Sequence, residues 1–329
     1  MPKILGYLLI ILLMATWLAP IPAVGSNLDA VVRLNASIPP QARTAGSLGT
    51  EREGNGIVID REGHILTIGY LILEASRIEV TTGGGRKVPA QYVGYDHATG
   101  FGILRTVPPL DVTPIALGDS AAVAVGDPMR IITAGEAVQG PARVMSRDAF
   151  VGYWEYLLED SIYVAPAHPD YGGAALLADD GRLVGVGSIL TRFHIESMGW
   201  VPCNMFVPID LLKPILNELI TQGETQGPPQ PWMGLHSDDV QGRVFVLRVS
   251  ERGPSAAAGL NPGDIILSVK DQPVSNTADF YRKVWALGQA GTAIPLRVLQ
   301  GDQVKNIVIH SMDRRQYLLP ASKKIGHPI

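Results

Sequence analysis

The 329-residue sequence contains a single cysteine, Cys203, so no disulfide can form within the chain whatever compartment receives it. It also lacks a cationic surplus. Lys and Arg number 27 against 31 Asp and Glu, a formal net charge of −4. Without a basic field, nucleic acid is not an expected partner. Histidines are few: His64, His97, His168, His194, His236, His310 and His327. His194 and Glu196 form a metal-binding pair only in principle, because no further ligands stand at suitable spacing, so neither a metal nor a cofactor is expected.

What is abundant is turn chemistry. Gly 36 and Pro 25 together make about 19% of the chain against an average near 12%, which favours a turn-rich β protein. The length allows two domains, each with its own core. Lys3, the apolar run Ile4 to Leu18, then Pro20, Pro22 and small residues to Ser26 have the form of a secretory signal over residues 1–25. The alternative is an uncleaved inner-membrane anchor through residues 4–24. Residues 26–47 lack sustained periodicity and read as an extended lead-in rather than a packed element.

A first domain is expected over residues 48–220, and within it, from Gly54 to about Leu190, short β-branched runs recur between turn signals: 56–59, 78–82, 88–93, 101–104, 129–133, 161–164 and 183–188. That spacing predicts an antiparallel barrel or sandwich. Gly83 to Gly85 followed by Arg86 predicts a hairpin turn, since no helix start or P-loop lysine follows that would make it a phosphate cradle. Apolar spacing near 3.6 predicts a closing helix from Pro208 to Ile220, and the polar, proline-rich residues 221–231 read as a linker. Phe150-Val-Gly-Tyr-Trp-Glu-Tyr156 concentrates aromatics, a pattern that points to core or interface packing.

Several motifs resemble the HtrA/Deg family of secreted trypsin-like proteases. Gly56-Ile-Val-Ile-Asp-Arg-Glu-Gly-His-Ile-Leu-Thr67 is similar to the run that leads to that family's catalytic histidine, and the continuation puts Tyr70 in the histidine slot. Asp96-His-Ala-Thr-Gly-Phe-Gly-Ile-Leu104 resembles the aspartate segment with Gly100 in the aspartate slot. His168-Pro-Asp-Tyr-Gly-Gly-Ala-Ala-Leu176 resembles the nucleophile loop with Tyr171 in the serine slot. The resemblance implies a trypsin-like double β-barrel, a periplasmic or secreted location, and frequent trimerisation.

Acyl transfer needs a nucleophile activated by a base that a third group orients. Tyr70 cannot be that base near neutrality, because a phenol has a pKa of about 10. Gly100 has no side chain. The former oxyanion loop, Pro169 and Asp170, is also altered. An ungapped alignment puts Pro169 where a glycine N–H would point at the oxyanion, and a gapped one deletes that glycine. Tyr171 with His168 is a conceivable nucleophile and base, as tyrosine nucleophiles serve sialidases. The plainer reading makes Tyr70 and Tyr171 bulky fillers of a cleft in which Gly100 leaves room. The sequence therefore predicts a protein without a catalytic triad.

Residues 232–312 resemble the PDZ domain appended to HtrA proteases, most closely in Gly253-Pro-Ser-Ala-Ala-Ala-Gly-Leu-Asn-Pro-Gly-Asp-Ile-Ile-Leu267. Val244 to Val249, 293–299 and 304–309 are expected strands, 277–287 an expected helix, and 313–329 a tail. The resemblance implies capture of peptide or protein C-termini, with candidate binding residues Trp232, Met233, Gly234, Leu235, Tyr281, Val284 and Trp285. The function expected is that of an envelope scaffold or regulator that binds peptides. The alternatives are an active endopeptidase with an atypical site, or a structural subunit that co-assembles with an active relative.

Overall fold

The computed structural model describes residues 28–135, 141–195 and 199–320. The expected signal or anchor, residue Glu196 and the final nine residues lie outside the described residues. Six strands close the first barrel: β1 Val31–Ser37, β2 Glu51–Val58, β3 His64–Ile68, β4 Arg77–Thr81, β5 Lys87–Tyr95 and β6 Phe101–Thr106. They run in the order β1-β2-β3-β6-β5-β4. Six more close the second: β7 Pro128–Ile132, β8 Ala142–Gly152, β9 Tyr156–Ala165, β10 Ala175–Leu177, β11 Leu183–Ile195 and β12 Gly199–Pro208, in the order β10-β11-β12-β9-β8-β7. Closure leaves neither barrel with an exposed edge. The triple-glycine turn joins β4 to β5, with the Gly85 N–H donating to the Thr82 carbonyl at 2.8 Å.

The lead-in reading of residues 26–47 is corrected by β1. Val32, Leu34 and Ala36 alternate inward with Arg33, Asn35 and Ser37, a period of two over seven residues. The strand pairs with β2 on one side and β4 on the other, so the first barrel cannot close without it. The closing helix is also corrected. Pro214 lacks an N–H and disfavours helix in the residue before it, so the segment divides into a 3-10 turn, Ile209–Leu211, and a helix, Leu216–Gln222.

The last domain is a sheet of β13 Leu235–Val240, β14 Arg243–Val249, β15 Ile265–Val269, β17 Ala293–Gln300 and β18 Gln303–His310 in that order, with β16 Gln272–Pro273 beside β15. Strand β13 is an edge. The helix Thr277–Trp285 is capped by Asn276, whose side chain accepts from the Asp279 N–H, and it buries Phe280, Tyr281 and Val284. A separate apolar core of Met233, Leu235, Val244, Leu260, Phe280 and Val298 holds the domain together.

The linker and the tail are both docked. Thr225 donates to Asp96 at 3.2 Å, and the Tyr95 N–H donates to the Gly223 carbonyl at 3.3 Å. The segment after β18 contains a helical turn, Arg314–Tyr317, whose Arg315 pairs with Glu224 and whose Tyr317 ring packs on Trp232. The N–H of Leu319 then reaches the buried carboxylate of Glu74 at 2.8 Å. Residues 313–320 are thus a return crossing to the first barrel rather than a free tail.

Candidate functional site

The cleft between the barrels brings together most of the residues singled out from the family slots. Tyr70, Pro169, Asp170 and Tyr171 line one cavity of about 330 Å³, with Glu51 and Arg52 on its other side. Tyr70 sits in the short turn Gly69–Leu71 that follows β3, and its hydroxyl donates to the Ser188 carbonyl at 2.9 Å. Burial raises the Tyr70 phenol above its ordinary pKa, and the neighbouring Tyr171 and Asp170 push it the same way. It is a fixed donor, not a base.

The loop carrying Tyr171 is pinned from below. Asn55, buried in β2, donates through its side-chain amide to the carbonyls of Asp170 and Gly172, each at 3.0 Å, and accepts from the Ala134 N–H at 2.8 Å. Asp170 pairs with Arg33 at 2.6 Å. Asn204 clasps His168, accepting from its N–H at 2.6 Å and donating to its carbonyl at 3.2 Å. His168 Nδ1 accepts from the Asp170 N–H at 3.1 Å, so that lone pair is committed to shaping the loop. Among the described residues, neither His168 nor any other histidine, serine, threonine or cysteine lines the cavity.

Gly100 does not line it. Its φ of +80° belongs to the left-handed region that glycine adopts without strain. Its N–H donates to the Asp96 carbonyl, and its own carbonyl accepts from the Gly69 N–H at 2.7 Å. A Cβ here would stand 3.1 Å from the hydroxyl of Tyr156, which donates to the Thr99 carbonyl at 2.5 Å. The place beside Gly100 is therefore filled by an aromatic from the second barrel. His97 is turned elsewhere: it packs edge-on against Tyr95 with ring centroids 4.5 Å apart, and burial followed by the nearby Arg314 pushes its imidazole down to about 3.

The second constellation lies at the loop that opens the last domain. Gly234 has a φ of +76°, which lets the backbone curl so that three successive N–H groups converge. Those of Met233, Gly234 and Leu235 all donate to the carboxylate of Glu155, at 2.8, 2.6 and 2.9 Å. Three amide donors on one carboxylate form a strong anion site. Burial nonetheless outweighs them and pushes the Glu155 carboxyl up to about 7.

Of the helix residues, Tyr281 is the one bonded into this site. Its hydroxyl accepts from the Glu155 N–H at 3.1 Å and lies 2.8 Å from Ser237 Oγ. Trp285 stacks on Tyr281 at an interplanar angle of 13°, while Val284 is buried in the core. Trp232 is bridged to Met312 and packed by Tyr317, and its ring lies against the loop, 3.1 Å from where a Cβ at Gly234 would stand. Sequence reasoning missed Glu155 because it carries no motif. The available hint was a lone charge inside the aromatic run from Phe150 to Tyr156.

No group of three or more His, Cys, Asp or Glu poised for a metal exists among the described residues. The side chain of His194 and residue Glu196 lie outside the description.

Two closed six-stranded barrels with a pinned cleft, followed by a sheet-and-helix module with a carboxylate-receptive loop, define a trypsin-like peptidase domain joined to a PDZ domain. Residues 54–186 match the trypsin-like peptidase domain family and residues 231–310 the PDZ domain family. Among curated relatives, the "Probable periplasmic serine endoprotease DegP-like" of Pseudomonas fulva is 26% identical over 300 residues, covering 83% of this chain but 59% of its own length. The "Serine protease Do-like HtrA" of Bacillus subtilis is 26% identical over 317 residues, covering 85% of this chain and 68% of its own. The chain thus carries a trypsin-like peptidase domain followed by a PDZ domain, and is similar to proteins named as HtrA and DegP-like serine proteases. In fold it resembles the HtrA-type protease AlgW with a decapeptide, with a TM-score of 0.53, 22% identity and coverage of 91% and 98%. It also resembles the serine endoprotease from Yersinia pestis, with a TM-score of 0.51, 23% identity and coverage of 88% and 96%.

Proposed function

We propose that this chain is an HtrA-like pseudoprotease that captures peptide or protein C-termini through its PDZ domain and acts as a scaffold or regulator in envelope protein quality control. One observation carries the binding half of the reading: Met233, Gly234 and Leu235 aim three N–H groups at a carboxylate. A PDZ domain uses such a loop to hold a terminal carboxylate while the peptide adds to an open sheet edge. Here that edge is β13.

The inactive half is supported by the cavity around Tyr70 and Tyr171, whose described lining holds no histidine, serine, threonine or cysteine and whose Asp170 carboxylate is engaged by Arg33. Pro169 has no N–H to offer an oxyanion. The names of the relatives favour a periplasmic site of action, and association with an active relative would let a bound terminus be handed to a working protease.

Two assays on the purified chain test this. The expected results are no labelling by a serine-directed fluorophosphonate and no casein cleavage, together with binding of a peptide pool through its free carboxyl termini. Covalent labelling overturns the pseudoprotease reading, and equal binding of free and amidated pools overturns terminus capture.

A further inference from the structure

The carboxylate in the PDZ loop belongs to the chain itself. The turn between β8 and β9 projects from the second barrel into the PDZ groove, and two of its residues, Tyr153 and Glu155, reproduce three contacts of a bound peptide. The carbonyl of Tyr153 accepts from the Ser237 N–H at 2.8 Å, a main-chain bond on the edge strand β13. The N–H of Glu155 donates to Tyr281, on the helix that forms the other wall. The Glu155 side chain then places its carboxylate on the three loop amides. Added strand edge, helix contact and captured carboxylate are the three elements of PDZ ligand recognition.

The turn is shaped for this position. Glu155 has a φ of +62°, unusual for a residue with a side chain, and its neighbours Tyr156 and Trp154 stack at 17° behind it. Val151 packs against the PDZ core. On the outside, Arg282 of the PDZ helix forms two bonds with Glu159 of β9, at 2.9 and 2.5 Å. Contacts thus flank the inserted tip on both sides.

We infer that Tyr153 to Glu155 form an internal ligand that occupies the peptide groove in cis, so that an incoming C-terminus binds only after displacing the tip. This deepens, and rests on, the reading of the groove as a peptide site. A tethered competitor acts at an effective concentration that reaches the millimolar range for short connections, so a free terminus meets it at a disadvantage. Apparent affinity falls in proportion to the fraction of molecules whose groove is open. A partner that grips the hairpin tip would expose the groove.

The test uses the full chain and a fluorescein-labelled decapeptide pool randomised at its last four positions, with a free carboxyl terminus and, separately, amidated. Glu155→Ala removes the internal carboxylate. Its expected effect is at least a tenfold gain in affinity for the free-carboxyl pool and none for the amidated pool. Hydrogen exchange at the amides of residues 233–235 should speed up in the peptide-free variant. Glu159→Lys is the second variant, because it breaks the exposed pair with Arg282 without touching the groove or a core, and it should give a smaller gain of several-fold. Unchanged affinity and unchanged exchange in both variants overturn the internal ligand and leave terminus capture standing. Faster exchange with no peptide bound by any form keeps the internal ligand and removes terminus capture.

Discussion

The phenol of Tyr70 in the first barrel hydrogen-bonds the carbonyl of Ser188 in the second, 2.9 Å away and 118 residues further along the chain. That bond acts as a bolt between the barrels. Tyr70→Phe keeps the ring and leaves the Ser188 carbonyl without that donor. It should lower stability by about 1 kcal/mol in urea unfolding, with no change in peptide binding.

Restoring the three slot residues should not restore a protease. The triple variant Tyr70→His, Gly100→Asp, Tyr171→Ser places an aspartate Cβ against Tyr156 in a left-handed backbone position. It also leaves Pro169 without the N–H an oxyanion hole needs. Casein turnover by this variant should stay at background, and cleavage at a measurable rate would show that the cleft is closer to catalysis than its geometry indicates.

Glu74 is buried in the first barrel's outer wall with a φ of +62°, and it accepts from Arg43 N at 3.0 Å, Thr44 N at 2.8 Å, Thr44 Oγ1 at 2.6 Å and Leu319 N at 2.8 Å. Its charge also supports Arg52, whose guanidinium burial pushes down to about 10 while donating to the carbonyls of Tyr70 and Leu73. Glu74→Ala leaves a buried cation and several donors uncompensated, a loss of about 3–5 kcal/mol. Equilibrium unfolding should show it, with Glu74→Gln less severe.

The Glu155 carboxyl, raised to about 7 from the ordinary value of 4.5, makes stability depend on pH. Between those values the folded chain holds a proton that the unfolded chain has released, so stability falls as pH rises and is fully present only below about 4.5. The window corresponds to roughly 3 kcal/mol. Groups facing Glu155 do not reverse the sign. The nearby Arg314 favours the carboxylate form of Glu155 but is outweighed by burial, Tyr281 is pushed further toward its neutral form, and His236, lowered to about 4 by burial and then by Arg248, is neutral through most of the window. Glu155→Gln should flatten this part of the stability profile measured from pH 4.5 to 8, and a profile identical to wild type would contradict the assignment.

Cys203 is fully buried in β12, and burial pushes its thiol up to about 11. Native protein at pH 8 should therefore show no thiol reactive to an aromatic disulfide reagent, and urea should release one.

Most of the architecture was legible because its signals are local. Alternating strands, the Gly83 to Gly85 turn and the Gly253 to Leu267 run each depend on neighbours within a few residues, and all fall where expected. The strand Val31–Ser37 was missed although it alternates, because the three inward positions Val32, Leu34 and Ala36, set between polar ones, differ little from an extended linker until the partner strands are in place. Pro214 was the signal that should have divided the 208–220 helix. For the site, Tyr70, Pro169, Asp170 and Tyr171 line one cavity. That Tyr156 stands beside Gly100, and that Glu155 reaches Gly234, are contacts between residues 56 and 79 positions apart, which no spacing rule encodes.

The PDZ domain is fastened at both of its ends. The stretch leading into it is bonded to Asp96, and the stretch leaving it runs back through Arg315 and Glu224 to Glu74. A single nick between residues 223 and 231 should therefore leave the two fragments travelling together through gel filtration, parting only in denaturant. Swinging of the domain about one hinge is thereby restrained, and exposure of its groove becomes a matter of the hairpin tip withdrawing from a module that stays in place.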